Sequence, residues 1–62
     1  MLSAHEIALM HAMTAGNTNA QLGALVNRSE KTVRNQLTHL YLKLGARNRT
    51  EAVAIFMRMA QI

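Results

Sequence analysis

The stretch SEKTVRNQLTHLYLKL, from Ser29 to Leu44, decides the predicted fold, because its spacing is that of one amphipathic helix. At about 100° per residue its apolar side chains fall on one stripe, which must be buried. The stripe consists of Val33, Leu37, Leu40, Tyr41 and Leu44. Ser29 is a preferred N-cap residue, and Glu30 suits the positive end of the helix dipole, so the beginning of this helix is well defined.

The opposite side of this helix differs from an ordinary charged surface. It carries Lys31, Asn35, Thr38 and Leu42, with Thr32 and Arg34 beside them. In the major groove of DNA, Arg and Lys suit guanine, Asn suits adenine, and Thr suits a thymine methyl group or a phosphate. The pattern therefore favours a major-groove contact, and a plain solvated helix face is the alternative.

Composition and charge narrow the class of protein. Sixty-two residues without cysteine make at most one small domain, with no disulfide framework. The lack of proline and the low aromatic content favour an all-helical fold. No long apolar run or signal peptide occurs, which predicts a soluble, cytoplasmic protein that does not contact a membrane. The net charge is +4, and all seven Lys and Arg residues lie at or after Arg28, so we expect a polyanionic partner.

The remaining polar residues form no catalytic or metal-binding pattern. His5, His11 and His39 lie on different helices or at spacings that do not converge, and no cysteine or paired carboxylate joins them. No nucleophile is paired with a base, and no glycine-rich phosphate loop occurs. We therefore expect a protein that is not an enzyme and that has no metal or cofactor.

Two shorter helices are predicted before Ser29, each from a capping pattern. The patterns are Ser3 with Glu6 and Thr18 with Gln21. The first helix has about a dozen residues and ends at Gly16, and the second runs from Asn19 to about Val26. Their predicted core side chains are Leu9, Met10 and Met13 in the first helix, and Leu22, Leu25 and Val26 in the second.

A short helix, a tight connection and a longer helix with a polar outer side make a helix-turn-helix. Asn27 and Arg28 are the connection. Beyond the longer helix, Gly45 occupies the position where a helix end favours a left-handed residue. Asn48 with Glu51 then repeats the capping pattern and begins a fourth helix, which runs to the end of the chain.

The fourth helix is apolar on two sides. One stripe consists of Val53, Phe56, Met57 and Ala60, and the other of Ile55, Met59 and Ile62. In so small a domain only one stripe can face the core. The second stripe therefore predicts an interface with a second copy or with another domain. Loose burial of terminal residues is the alternative.

Together these features resemble the C-terminal DNA-binding domain of LuxR/GerE-type bacterial transcription regulators, which include the NarL-type response regulators. The motifs that carry the resemblance are Lys31-Thr32-Val33-Arg34, Lys43-Leu44-Gly45 and Arg49-Thr50-Glu51-Ala52, within an ungapped match from Leu2 to about Met57. The resemblance implies that residues 1–62 are an all-α, four-helix LuxR-type helix-turn-helix domain. Such a domain is the output domain of a transcription regulator and binds double-stranded DNA.

The resemblance also assigns roles by position. It implies base contacts from Arg34, Asn35 and Thr38 of the third helix. It implies phosphate contacts from Thr18, Asn19, Lys31, Thr32, Lys43 and Arg47. It implies a homodimer through the fourth helix, for which Ile55, Met59 and Ile62 are the candidates. Arg49 stays open between a hydrogen bond at the edge of the core and a phosphate contact.

The sequence departs from the family pattern at several positions. Gly23 stands where alanine is common and costs about 1 kcal/mol of helix propensity. Leu42 stands at an outward position that is usually polar, and removes a possible phosphate contact. Gln36 replaces a common histidine, Ala8 a common glutamate and Arg28 a common aliphatic residue.

A second functional hypothesis belongs to another class. The chain begins with Met1 and carries no receiver or ligand-sensing domain. It is therefore also compatible with a small adaptor or antagonist that pairs through its last helix with a larger transcription regulator. A third hypothesis is that the chain is an excised output domain, whose receiver or sensor domain belongs to a longer protein.

Overall fold

Four helices make up most of residues 2–59, the part of the chain that the computed structural model describes. They are α1 (Ala4–Thr14), α2 (Asn19–Val26), α3 (Glu30–Leu44) and α4 (Arg49–Met59). Residues 2–59 contain no strand, so the all-α prediction is confirmed. Within the same range, none of the helices combines the length and the apolar character needed to cross a bilayer.

Capping side chains begin α1 and α2 as predicted. The Ser3 hydroxyl accepts a hydrogen bond from the Glu6 backbone N–H at 3.1 Å, and the Glu6 carboxylate accepts one from the Ser3 N–H at 2.8 Å. Thr18 and Gln21 form the same reciprocal pair at 3.2 and 2.8 Å. Each pair satisfies two backbone donors that a helix start leaves without partners, and so holds the first turn in place.

The junction between α3 and α4 follows the prediction with one difference. Gly45 ends α3 at φ +73°, a left-handed conformation that glycine adopts without strain. The side-chain oxygen of Asn48 accepts from the Glu51 N–H at 2.9 Å and so caps α4. The Glu51 carboxylate, however, accepts from the backbone N–H of Arg47 at 2.8 Å, whereas the capping pattern predicts the N–H of Asn48 as the donor.

The core lies where the apolar sides of the four helices meet. Its buried side chains are Leu9, Met10, Met13, Leu22, Val33, Leu37, Leu40, Ala52 and Phe56. Tyr41 and Leu44 are half-buried and complete the stripe predicted for α3. The predicted core residues of α1 are all buried. The core therefore fixes the inner side of α3 and leaves its opposite side in solvent.

Two predicted core residues are instead exposed. Leu25 is 64% exposed, because α2 approaches α3 through Leu22 and Gly23, and Leu25 lies about 100° of helical rotation away from their side. Met57 is 52% exposed, because Ala52 and Phe56 set the inner side of α4. Ala60, which was predicted on the same stripe as Met57, lies outside the described residues.

Candidate nucleic-acid interface

The turn between α2 and α3 depends on an unusually close approach of two backbone segments. A Cβ on Gly23 would lie 2.6 Å from the carbonyl oxygen of Arg28. The Arg28 N–H donates to the Gly23 carbonyl at 2.8 Å, and Asn27 adopts a left-handed conformation at φ 58°. The glycine that costs helix propensity therefore permits the tight turn that sets α3 against α2.

The first turn of α3 is held by side-chain hydroxyls. The Ser29 hydroxyl oxygen accepts from the Thr32 N–H at 3.1 Å, and the same hydroxyl donates to the Thr32 side-chain oxygen at 2.9 Å. Because Thr32 accepts here, its own hydroxyl hydrogen is available to an outside acceptor. A phosphate oxygen is such an acceptor, and it is favoured at the beginning of a helix.

The outward side of α3 presents four polar residues to solvent: Lys31, Arg34, Asn35 and Thr38. Within residues 2–59, neither Lys31 nor Asn35 makes a side-chain hydrogen bond or ion pair. The guanidinium of Arg34 lies 4.0 Å from the Glu30 carboxylate, and both side chains are largely exposed, so this pair is weak. The side therefore has donors and acceptors that are available to a ligand.

The third predicted base-contacting residue, Thr38, is oriented by its own helix. Its hydroxyl donates to the carbonyl of Arg34 at 3.0 Å, one turn earlier in α3. This bond uses the hydroxyl hydrogen and leaves the oxygen lone pairs and the methyl group available to an outside contact.

Lys43 and Arg47, both predicted as phosphate contacts, are each paired with a carboxylate. The Lys43 ammonium lies 3.0 Å from Glu6 of α1. The Arg47 guanidinium lies 3.0 Å from Glu51, with 87% of its side chain exposed. Backbone hydrogen bonds, reinforced by these cations, hold the pKa values of both carboxylates below their usual range. A phosphate at either position would compete with a carboxylate that is already bound.

Asn19, at the beginning of α2, and Asn17, two residues before it, are joined to α4 through Arg49. The Arg49 guanidinium donates to the backbone carbonyl of Asn17 and, at 3.4 Å, to the side-chain oxygen of Asn19. The half-buried Tyr41 lies near the same guanidinium; burial raises the pKa of its hydroxyl, and the charge of Arg49 opposes that rise. Of the two roles left open for Arg49, the structure favours the hydrogen bond at the edge of the core.

The predicted interface residues of α4 are only partly described. Ile55 is half-buried, and Met59 is 48% exposed. Ile62 lies outside the described residues. Met57, which was predicted to face the core, adds an exposed apolar side chain to the same helix. An interface through α4 stays a prediction.

Arg28 is an exposed basic residue near the beginning of α3 that was not among the predicted contacts. Arg28 lies in the turn immediately before the Ser29 cap, where its guanidinium donates to the carbonyl of Asn27 at 3.2 Å. Its charge lies next to the beginning of α3, the end of a helix at which anions are favoured.

Comparison with known proteins identifies the family. The family model for bacterial regulatory proteins of the luxR family matches residues 1–56. The chain belongs to this family. The crystal structure of the response regulator ChrA, from a heme-sensing two-component system, superposes with a TM-score of 0.91 at 40% sequence identity. The match covers 100% of this LuxR-family chain and 31% of ChrA. The predicted family and the four-helix fold are therefore confirmed.

Related proteins include several transcription regulators. The transcriptional regulatory protein YdfI of Bacillus subtilis is 39% identical over 92% of this chain and 27% of its own length. The nitrate/nitrite response regulator NarP of Escherichia coli is 31% identical over 94% of this chain and 27% of its own length. The spore germination protein GerE of Bacillus subtilis is 29% identical over 100% of this chain and 84% of GerE.

This LuxR-family chain thus spans 27% of the length of YdfI and of NarP. The part that it matches, together with the fold, makes it a DNA-binding domain of the LuxR-type transcriptional regulators.

Proposed function

We propose that this domain, residues 1–62, binds a specific double-stranded DNA sequence in bacterial transcription regulation. α3 lies in the major groove, and a second copy pairs with the first through α4 on an inverted repeat. The proposed site of action is the cytoplasm, where bacterial promoters lie. A receiver domain is the proposed regulatory partner, because the related proteins include response regulators.

The observation that carries this proposal is the two-sided character of α3. Its inner side is anchored by Val33, Leu37 and Leu40, which are at most 2% exposed. Its outer side presents a lysine, an arginine, an asparagine and a threonine from a backbone that this packing holds rigid. A rigid helix with such a side can read base edges in the major groove, whose width admits an α-helix.

The proposed contacts divide by chemistry. Base contacts are assigned to Arg34, Asn35 and Thr38, on the outward side of α3. Phosphate contacts are assigned to Thr18, Asn19, Lys31, Thr32, Lys43 and Arg47, around the helix ends. Phosphate contacts provide affinity that depends on salt and not on sequence, whereas base contacts provide discrimination.

Lys31→Ala is expected to weaken binding to all duplexes alike. Lys31 lies exposed in the first turn of α3 and makes no ion pair within residues 2–59, so its charge is available to a phosphate. Loss of one phosphate contact reduces the slope of log Kd against log salt by about one. Fluorescence anisotropy at several salt concentrations measures this slope. The control is Arg58→Ala on α4, which removes the same charge without changing the slope; an unchanged slope for Lys31→Ala would remove Lys31 from the phosphate contacts.

Asn35→Ala is expected to reduce the preference for the cognate site over random DNA by about 1 to 3 kcal/mol, because a bidentate contact to adenine discriminates by that amount. The Asn35 side chain is exposed and makes no hydrogen bond within the described residues, so its removal leaves the fold intact. Competition titrations with cognate and random duplexes measure the preference. Equal losses on the two duplexes would contradict a base contact.

The proposal as a whole is tested by selection from randomised duplex DNA at low and moderate salt, with sequencing of the bound fraction. We expect one enriched sequence with two-fold symmetry. An enriched sequence without symmetry would contradict only the proposed pairing through α4, and not the DNA binding. An absence of binding even at low salt would contradict the DNA proposal.

The exposure of Met57 and Met59 on α4 favours one alternative, an adaptor that pairs through this helix with a larger regulator. An absence of DNA binding would support this role, and α4 would then be the surface on which to search for the partner.

A further inference from the structure

One residue on the outward side of α3 has no role among the contacts proposed above. Leu42 is 74% exposed, more than Leu25 or any of the other exposed large apolar residues within residues 2–59. A single exposed leucine is ordinary on a protein surface. Leu42 differs from an ordinary exposed leucine because of the side of α3 on which it lies.

Leu42 lies in line with the proposed DNA contacts. It follows Lys31, Asn35 and Thr38 at successive steps of four, three and four residues, so that the four side chains fall within about 60° of helical rotation. The buried side chains of α3, which are Val33, Leu37 and Leu40, lie on the opposite side of the helix. A duplex that contacts Asn35 and Thr38 therefore also faces Leu42.

The distance along the helix is compatible with a contact to the same groove. Leu42 lies four residues beyond Thr38, which is about 6 Å along the helix axis. A helix that lies in the major groove follows the groove and not the duplex axis, so this distance places Leu42 further along the groove than the contact of Thr38.

The chemistry of the groove limits what Leu42 can recognise. A leucine side chain neither donates nor accepts a hydrogen bond, and the apolar group that the major groove presents is the C5-methyl group of thymine. We propose that Leu42 determines specificity by contacting the methyl group of a thymine that lies further along the groove than the contact of Thr38. This inference rests on the proposed function, because it requires α3 to lie in the major groove.

The test removes the methyl group from the DNA. Each thymine of the duplex enriched by selection is replaced in turn by deoxyuridine, which lacks the C5-methyl group and keeps the same hydrogen-bonding atoms. Kd is measured by fluorescence anisotropy for the wild type, for Leu42→Ala and for the control Leu25→Ala. Leu25 is also a highly exposed leucine, but it belongs to α2.

We expect deoxyuridine at one thymine of each half-site to raise the Kd of the wild type about four-fold, the effect of one buried methyl group. The same substitution should leave the Kd of Leu42→Ala unchanged and should raise that of Leu25→Ala four-fold, as in the wild type. A matching melting curve by circular dichroism shows that Leu42→Ala is folded.

Two kinds of failure are distinguishable. If selection enriches no sequence, the proposed function and this inference are both overturned. If a sequence is enriched but no thymine methyl group affects the wild type, or if one affects the wild type and Leu42→Ala equally, only the role of Leu42 is overturned.

Discussion

Replacing Leu40 by alanine is expected to remove most of the domain's free energy of unfolding. Leu40 lies in α3 at 0% exposure, against side chains of the common core. Removing its buried carbon atoms and leaving a cavity costs about 3 to 5 kcal/mol. A single core in a domain of this size rarely supplies more than about 3 to 5 kcal/mol in total, so one substitution removes most of the free energy of unfolding.

Urea unfolding followed by far-ultraviolet circular dichroism measures this loss, and the chain provides a matched control. Leu42→Ala is the same substitution in the same helix, two residues further on, at a side chain that is 74% exposed. It should change the free energy of unfolding by less than about 0.5 kcal/mol. Similar losses for the two variants would contradict the assignment of an inner and an outer side to α3.

The helix boundaries and the inner side of α3 could be predicted because they depend on residues close together in the sequence. A cap such as Ser29 involves donors within one turn, and a left-handed end at Gly45 depends on the glycine itself. The buried stripe through Leu37 follows from the helical period alone. For the same reason, the exposure of Asn35 on the opposite side was predictable.

Pairings between distant parts of the chain were not predictable in this way. Lys43 is paired with Glu6, 37 residues away, and Arg49 with the carbonyl of Asn17, 32 residues away. The helical period separates the sides of one helix but does not say which neighbour each side meets. The prediction that Leu25 lies in the core was wrong for that reason. In the structure α2 packs through the side that carries Gly23, and this turns Leu25 outward.

Gly23→Val is expected to reduce the free energy of unfolding by about 2 to 3 kcal/mol, as overpacking of a tight site does. Helix propensity alone predicts the opposite sign, because valine is the better helix former. The structure indicates that the free energy of unfolding falls, because a Cβ at this position would lie 2.6 Å from the Arg28 carbonyl oxygen. That oxygen is a backbone atom, which moves only if the turn moves. Alanine would add only that Cβ, whereas valine adds two further methyl groups.

Ala24→Val, at the exposed neighbouring residue of α2, is the control for this prediction. It introduces the same side chain into the same helix without the close approach, so its cost should stay below about 0.7 kcal/mol, the range of helix propensity. Because the turn also sets α3 against α2, Gly23→Val should weaken binding to the selected duplex even where circular dichroism shows the helices to be formed, and Ala24→Val should not. If the two valine variants unfold at the same urea concentration, the close approach to Arg28 does not limit the size of the side chain at position 23. The orientation of α3 must then depend on the core alone.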